Sequence, residues 1–274
     1  MNRKTIVITG ASDGIGAAAA RQLAADGHRL VLVGRSPSKL AAVADEVGAE
    51  SIVADFADLA QVRHVAEEVL RLCPTIDVLA NNAGLINGNE RVVTVDGHEA
   101  TNQINYLAVF LLNHLLEDRL VASRATVIVT SSMAHWGGRI DLDDLDHERS
   151  YVSFGAYADS KLALLLHTRQ LQRNLGRRGV SAVAFHPGVV ASNFSVANGG
   201  FMGKFYSSPA KALLTTSEKG ADSLVFLAEA TPGVDFRPGG YVIKRRPAAT
   251  RACVSDVHLG ESLWATTAAM LGIE

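Results

Sequence analysis

Thr9-Gly10-Ala11-Ser12-Asp13-Gly14-Ile15-Gly16 follows directly on the short apolar run Lys4 to Thr9 and opens a stretch of helical period, Ala17 to Ala25. Glycines at this point let the backbone turn tightly and come close to a pyrophosphate, whose charge is stabilised by the N-terminus of the helix that follows. The spacing is Gly-x-x-x-Gly-x-Gly rather than the more familiar Gly-x-Gly-x-x-Gly. Its place after a first strand, and not its composition, makes it a candidate dinucleotide turn.

Outward from this turn the same alternation continues: Arg29 to Val33 then Ser38 to Val47, and Ser51 to Ala54 then Leu59 to Leu72. Further strands are expected near Asp77 to Ala80, Ala125 to Thr130 and Val180 to Phe185, with helices near Gly97 to Leu120 and Ala156 to Leu175. A helix near Glu218 to Glu229 precedes a seventh strand, Gly240 to Ile243. Strand and helix in repeated alternation mean a parallel sheet, and strands that are apolar throughout mean helices on both faces. There is no internal repeat or Pro/Ser-rich linker, so one doubly wound α/β domain is expected. Its nucleotide-binding half would cover about 1–130, and its catalytic and substrate part about 131–274.

The bulk numbers narrow the function classes. A chain of 274 residues with 48% hydrophobic and 20% charged residues can bury a sizeable core. A formal net charge of −2 gives no reason to expect a nucleic acid or an anionic membrane as partner. The local run Lys244-Arg245-Arg246 reads as a solvated loop. Cys73 and Cys253 are too few for a disulfide framework or a four-cysteine zinc site, and no signal peptide is recognisable. No apolar stretch approaches the ~20 residues needed to span a bilayer, so a cytoplasmic setting is expected.

The end of the second strand, Leu32-Val33-Gly34-Arg35-Ser36, bears on the choice of dinucleotide. An acidic residue there would hold the 2′-hydroxyl of NAD, whereas an arginine accommodates the 2′-phosphate of NADP. Arg35, with Ser36 as a second donor, therefore favours NADPH (NADP+), with NADH as the other candidate. Asp13 works against this by bringing a negative charge near the phosphates. After the third strand, Asp55 and Phe56 are placed to reach an adenine. After the fourth, Asn81-Asn82-Ala83-Gly84 combines asparagines that can bond neighbouring loops with small residues that leave room for a flat ligand; a turn-forming role fits these residues as well.

Tyr157 and Lys161 stand four apart in Tyr-Ala-Asp-Ser-Lys, at the start of a helical stretch. That spacing puts both side chains on one helix face. A fixed positive charge beside a phenol favours the phenolate, which makes the pair a candidate proton donor with its tuner. On the spacing alone, a half-buried aromatic beside a solvated lysine is the other reading.

Taken together, Thr9-Gly10-x-x-x-Gly14-Ile15-Gly16, Asn81-Asn82-Ala83-Gly84, Ser132, Tyr157-x-x-x-Lys161 and Pro187-Gly188 resemble the short-chain dehydrogenase/reductase superfamily. The match runs in order through the chain. The stretch Thr130-Ser131-Ser132-Met133-Ala134-His135, the acidic insertion before Tyr157 and the tail around Leu263-Trp264 and Leu271-Gly272 resemble its retinol dehydrogenase-like and WW-domain oxidoreductase-like branch. That branch often carries a membrane anchor or WW modules, and neither is expected here.

The resemblance implies a Rossmann-type, seven-stranded parallel sheet and a catalytic set of Asn105, Ser132, Tyr157 and Lys161. Asn105 corresponds to the asparagine that holds a water in the family's proton relay, and Ser132 to the serine that holds the substrate oxygen. Ser132 is preferred to Ser131 by family register. The implied cofactor-binding set is Gly10, Ser12, Asp13, Gly14, Ile15, Gly16, Arg35, Ser36, Asp55, Phe56, Asn82, Ala83, Gly84, Tyr157, Lys161, Pro187, Gly188, Val190 and Ser192. Tyr157 would protonate a carbonyl oxygen as hydride reaches the carbon, Lys161 would hold the ribose hydroxyls, and Ser132 would stabilise the oxyanion. Moving a tyrosine from ~10 toward 7 takes about 4 kcal/mol of differential stabilisation.

On the substrate side, Asp141, Asp143, Asp144, Asp146 and Glu148 lack EF-hand spacing and read as a solvated polar loop. No metal site is expected; His186 reads as a structural strand-end residue. His135 and Trp136 either line the pocket or pack the loop. The segment 189–215, with Phe194, Phe201, Met202, Phe205 and Tyr206 among glycines, reads either as an apolar lid or as a surface helix. As a lid it implies a bulky, mostly apolar ketone or aldehyde. The tail Gly260 to Leu271 would close the pocket or pack a neighbouring subunit. Helices near Gly97 and Ala156 resemble the family's dimer faces, yet their apolar stripes would also serve the core, so a homodimer stays an open alternative. A non-catalytic dinucleotide-binding regulator or scaffold is the main competing function, against which the intact Asn105, Ser132, Tyr157 and Lys161 argue. A sugar-nucleotide epimerase or dehydratase is a third, disfavoured by chain length and glycine spacing.

Overall fold

The computed structural model describes residues 3–188 and 215–273. Val190 and Ser192, and all of the 189–215 segment except Thr215, lie outside the described residues. The elements in chain order are β1 (Thr5–Thr9), α1 (Gly14–Ala25), β2 (Arg29–Gly34), α2 (Pro37–Val47), β3 (Glu50–Val53), α3 (Leu59–Leu72) and β4 (Val78–Asn81). They continue with α4 (Ala100–Asn102), a π-helical turn (Gln103–Leu107), α5 (Ala108–Leu115), α6 (Glu117–Ala122), β5 (Thr126–Thr130), a 3₁₀ turn (Met133–Gly137) and α7 (Ser153–Leu175). A 3₁₀ turn (Gly176–Arg178), β6 (Ser181–His186), α8 (Ser217–Glu229), β7 (Tyr241–Ile243), β8 (Arg246–Pro247), a 3₁₀ turn (Ala252–Ser255) and α9 (Val257–Met270) follow among the described residues.

The strands form one sheet in the order β3-β2-β1-β4-β5-β6-β7-β8. β1 pairs in parallel with both β2 and β4, so the chain winds outward to β3 and then crosses back to start the second half beside its first strand. A crevice opens where the two halves diverge, at the carboxyl ends of β1 and β4, and open α/β sheets bind ligands there. The apolar strands lack alternation because both faces are covered. Val7, Val33, Leu79, Val127 and Ala184 belong to the core under α3, α5 and α7. Their neighbours Ile8, Leu32, Ala80, Ile128 and Phe185 belong to the core under α1, α2 and α8.

Three sequence expectations need correction. Among the described residues the sheet has eight strands, not seven: β8 runs antiparallel to β7, with Val242 opposite Pro247 and Ile243 opposite Arg246. Lys244 and Arg245 form the connecting turn with φ of 49° and 62°. A two-residue hairpin of type I′ needs left-handed backbone at both positions, and this chain uses two basic residues where Asn-Gly is the usual signal. Arg245 is held on α8 by its ion pair with Asp222. The helix expected over Gly97 to Leu120 is broken by the π-helical turn and again at Leu116. The acidic insertion is not wholly solvated: Asp146 accepts hydrogen bonds from the Glu99 backbone N–H and from Asn102 Nδ2, both at 3.0 Å. Burial works against the Asp146 carboxylate, yet the hydrogen bonds from His98 and Asn102 hold it below the ordinary carboxylate range.

The C-terminal helix α9 packs on α7 and α5 of its own chain. Trp264 stacks on His167 at 5.3 Å between ring centroids and lies 4.5 Å from Phe110. The Tyr106 and Thr267 hydroxyls share a buried hydrogen bond of 2.7 Å. No helix among the described residues is long and apolar enough to cross a membrane.

Candidate active site

The glycine turn is closed by contacts that tolerate no side chain. A Cβ on Gly16 would lie 2.2 Å from the Gly10 carbonyl oxygen, and one on Gly10, whose φ is +68°, would lie 2.8 Å from Ala83 Cα. The turn is thus pressed against the loop after β4 at the switch point of the sheet. Thr9 locks the two together: its Oγ1 accepts from the backbone N–H of Asn82 and of Ala83, each at 3.0 Å. Asn82 Nδ2 donates to the Thr9 carbonyl at 3.1 Å, and Thr130 Oγ1 on β5 donates to Asn82 Oδ1 at 3.2 Å. The Asn82 amide thereby joins the ends of three strands. The sequence marked Asn82 but missed the part played by Thr9 and Thr130, whose only signal is a threonine closing each strand.

Asp13 caps α1, its Oδ1 accepting from Gly14 N at 2.8 Å, and its Oδ2 pairs with Lys39 Nζ at 2.7 Å. The ion pair removes the objection that an unscreened Asp13 would repel phosphates. Lys39 stands one helical turn beyond Arg35 in the chain, on the first turn of α2. Arg35 is exposed at the end of β2, and Ser36 is the N-cap residue of α2, with no side-chain capping bond. Ser12 packs beneath Gly34, where a Cβ would meet it at 3.0 Å. Asp55 Oδ1 accepts from Ala57 N at 3.0 Å, while Phe56 is buried in the core and leaves only its backbone for an adenine contact.

α7 carries Tyr157 and Lys161 to the carboxyl edge of β5. Lys161 Nζ donates to the Thr130 carbonyl at 2.9 Å and lies 5.6 Å from the Tyr157 ring centroid. The adjacent serines divide their work. Ser131 Oγ is buried and donates to the Lys161 carbonyl at 2.9 Å, pinning β5 to α7. Ser132 is partly exposed, and its Oγ accepts from Ala134 N at 3.1 Å, which leaves its hydroxyl proton for another acceptor. The side chain of Asn105 makes three hydrogen bonds: Oδ1 accepts from Leu85 N at 2.8 Å, and Nδ2 donates to the Leu85 carbonyl at 2.9 Å and to Ser160 Oγ at 3.0 Å. It ties the loop after Gly84 to α7. Asn105 sits within the π-helical turn.

Burial pushes the Lys161 ammonium down to about 7 from 10.5. In the cofactor-free protein the unfolded chain therefore binds the extra proton between those values, and stability rises with pH from about 7 toward 10.5. Denaturant unfolding across that window should show the parent gaining stability relative to Lys161→Met; parallel pH dependences would refute it.

The arrangement fits a flat ligand followed by a diphosphate. A Cβ at Gly84 would come within 3.4 Å of Lys161 Nζ and 3.1 Å of Asn105 Oδ1, so the missing side chain keeps the approach to Lys161 open. Gly188 closes the far side with φ +91°, a Cβ there meeting Thr215 Oγ1 at 3.1 Å. Pro187 directly precedes it at the end of β6.

Residues 4–199 match the sequence model of the short chain dehydrogenases. The candidate daunorubicin C-13 ketoreductase DnrU of Streptomyces sp. (strain C5) is 40% identical, over 98% of this chain and 93% of that protein. Human retinol dehydrogenase 13 is 34% identical, over 99% of this chain and 85% of its own. Among solved structures, an uncharacterised protein of Mycobacterium paratuberculosis superposes with a TM-score of 0.80 at 32% identity, covering 99% of this chain and 94% of that one. A Burkholderia cenocepacia short chain dehydrogenase in complex with NADP superposes with a TM-score of 0.70 at 27% identity, covering 88% and 95%. A glycine turn at the sheet's switch point, a Tyr-x-x-x-Lys helix at its edge and this likeness along the whole chain have one explanation: the protein belongs to the short-chain dehydrogenase/reductase family, in its retinol dehydrogenase-like branch, and is an NAD(P)-dependent oxidoreductase.

Proposed function

We propose that the chain reduces a bulky, mostly apolar ketone or aldehyde to its alcohol with NADPH, or runs the reverse reaction, using Tyr157 as the proton donor. The observation that supports this most is that α7 carries Tyr157 and Lys161 to the carboxyl edge of β5, where Lys161 Nζ donates to the carbonyl of Thr130, two residues before Ser132. In that reading Ser132 donates to the substrate oxygen, and Tyr157 transfers its proton to the same oxygen as charge develops. Lys161 favours the phenolate left behind, and ribose hydroxyls would give its Nζ acceptors beyond the Thr130 carbonyl. The nicotinamide ring, when bound, supplies or accepts the hydride.

The bulk and polarity of the substrate are argued from the rim. Met133 and Trp136 directly follow Ser132, Val152 and Phe154 precede Tyr157, and they are 53%, 50%, 64% and 46% exposed. Four large exposed apolar side chains in the two segments that lead from Ser132 and into Tyr157 favour a partner that covers them. Relatives named for a retinol and for the C-13 ketone of daunorubicin point the same way. A screen of ketones and aldehydes for NADPH oxidation tests the reading. Preference for small hydrophilic carbonyls, or no turnover across a broad apolar set, would sink it.

NADPH over NADH is argued from Arg35 at the end of β2, with Lys39 close by on α2. Arg35→Ala should weaken NADPH binding about tenfold, the loss of a charge-assisted hydrogen bond, and leave NADH nearly untouched. Fluorescence titration of both cofactors reads this directly, and tighter binding of NADH to the parent protein would reverse the preference.

A further inference from the structure

His135, His186 and Tyr241 each hold a buried polar atom without a hydrogen-bond partner: Nε2, Nδ1 and the phenolic hydroxyl. All three residues are more than nine-tenths buried, at 0%, 7% and 4% exposure. They come from separate elements, the 3₁₀ turn after Ser132, the end of β6 and the start of β7, and they converge. The rings of His135 and Tyr241 lie edge to face at 5.2 Å, and the turn that carries His135 packs on α7 one residue from Tyr157, where a Cβ on Gly138 would lie 2.5 Å from the Ala158 carbonyl oxygen. β6 and β7 pair with Ala184 opposite Tyr241, and strand side chains alternate, so His186 shares Tyr241's face of the sheet, the face under α7.

The chemistry of the cluster is defined. His135 Nδ1 donates to the Ser132 carbonyl at 2.7 Å, which makes its Nε2 an acceptor. Burial lowers the pKa of His135 and takes that of His186 down to about 4, so both rings are neutral at ordinary pH. Burial, and then the neighbouring Tyr157, push Tyr241 up, which keeps its proton in place. A buried polar atom left unmatched costs about 1–3 kcal/mol, and buried waters typically make about three hydrogen bonds to such atoms.

We propose that His135, His186 and Tyr241 hold one water beside Tyr157, and that this water is a second hydrogen-bond connection to the catalytic phenol, independent of Lys161. The donors and acceptors balance. The water accepts from Tyr241 and from the Nδ1–H tautomer of His186, and donates to His135 Nε2 and to the Tyr157 oxygen. That last bond is strongest when Tyr157 is a phenolate, so the three residues are positioning residues that favour the form left after protonation of the substrate. Among the described residues, the charged and titratable groups near Tyr157 include Lys161 on α7, His135, His186 and Tyr241, with Arg251 reaching the same turn through the Gly138 carbonyl.

The role in turnover rests on the oxidoreductase reading above. In the alcohol-oxidation direction, where Tyr157 acts as a phenolate, Tyr241→Phe should move the rising limb of the pH–kcat profile up by about one unit, a tenfold loss on that limb, with KM unchanged. A profile superimposable on the parent's, in a variant of parental thermal stability, overturns the proposal. If Tyr241→Phe does not fold, His186→Phe removes the other donor and is judged by the same shift. A parent inactive on every alcohol defeats the proposed function and not the water site. The tyrosinate absorbance titration, taken as the difference between parent and Tyr157→Phe, then decides: an upward shift on adding Tyr241→Phe supports the site, and none refutes it.

Discussion

Tyr157→Phe is expected to lower turnover by roughly 10²–10⁴-fold while leaving NADPH affinity within about twofold of the parent. The substitution removes one oxygen and keeps the ring that packs beside Phe154 at 6.4 Å and beneath Lys161. The groups that shape the phosphate turn, Thr9, Asn82 and the glycines, lie on other elements and are untouched. Loss of rate without loss of binding separates a proton donor from a residue that merely lines the cleft, because a lining residue would change both together. Steady-state rates with any accepted carbonyl, beside a cofactor titration, make the comparison. A variant that turns over within threefold of the parent would remove Tyr157 from the mechanism. Lys161→Met should follow a different pattern, losing rate and cofactor affinity together, since its ammonium is assigned to both the phenolate and the ribose.

What could be read from the sequence was what chemistry needs at fixed local spacing. The glycine turn, the Tyr157–Lys161 pair and the strand-helix alternation are each set within a few residues, and α3 spans Leu59 to Leu72 as its apolar period requires. Contacts made by tertiary convergence were not legible. Asp13 looked like an obstacle to phosphates until Lys39, distant in sequence, proved to be its ion partner. His135, His186 and Tyr241 carry no shared spacing; only the pairing of β6 with β7 and the turn after Ser132 bring them to one side of Tyr157. β8 was invisible because its turn residues, Lys244 and Arg245, adopt left-handed backbone without the glycine or asparagine that normally announces it. The tail was read as a pocket cover or a subunit contact because its helical stripe names an apolar face and not the surface that receives it.

That surface is the chain's own core, and Leu263→Ala measures it. Leu263 is 1% exposed in the interior built on Tyr106, Phe110 and α7, so truncation removes buried methyl groups and leaves a void. The expected cost is about 3 kcal/mol, near the middle of the range for leucine-to-alanine changes in packed cores. For a domain of this size that corresponds to a fall in Tm of roughly 6–12 °C, read by calorimetry or circular dichroism. The figure applies only if α9 is a structural element of the monomer. A helix that served as a mobile cover, or one whose native partner was another subunit, would leave the monomer's stability nearly unchanged when truncated at this position. The hydrogen bond between Tyr106 and Thr267 and the stacking of Trp264 on His167 argue for the first case, because a detached α9 would leave a fully buried phenol, and an imidazole whose pKa burial has lowered to about 3, facing water over an apolar floor. A melting temperature within about 2 °C of the parent's would show that α9 does not hold the fold. NADPH binding by Leu263→Ala below its melting point should match the parent, since the residues proposed to hold the dinucleotide, in the turn between β1 and α1 and after β4, lie on other elements.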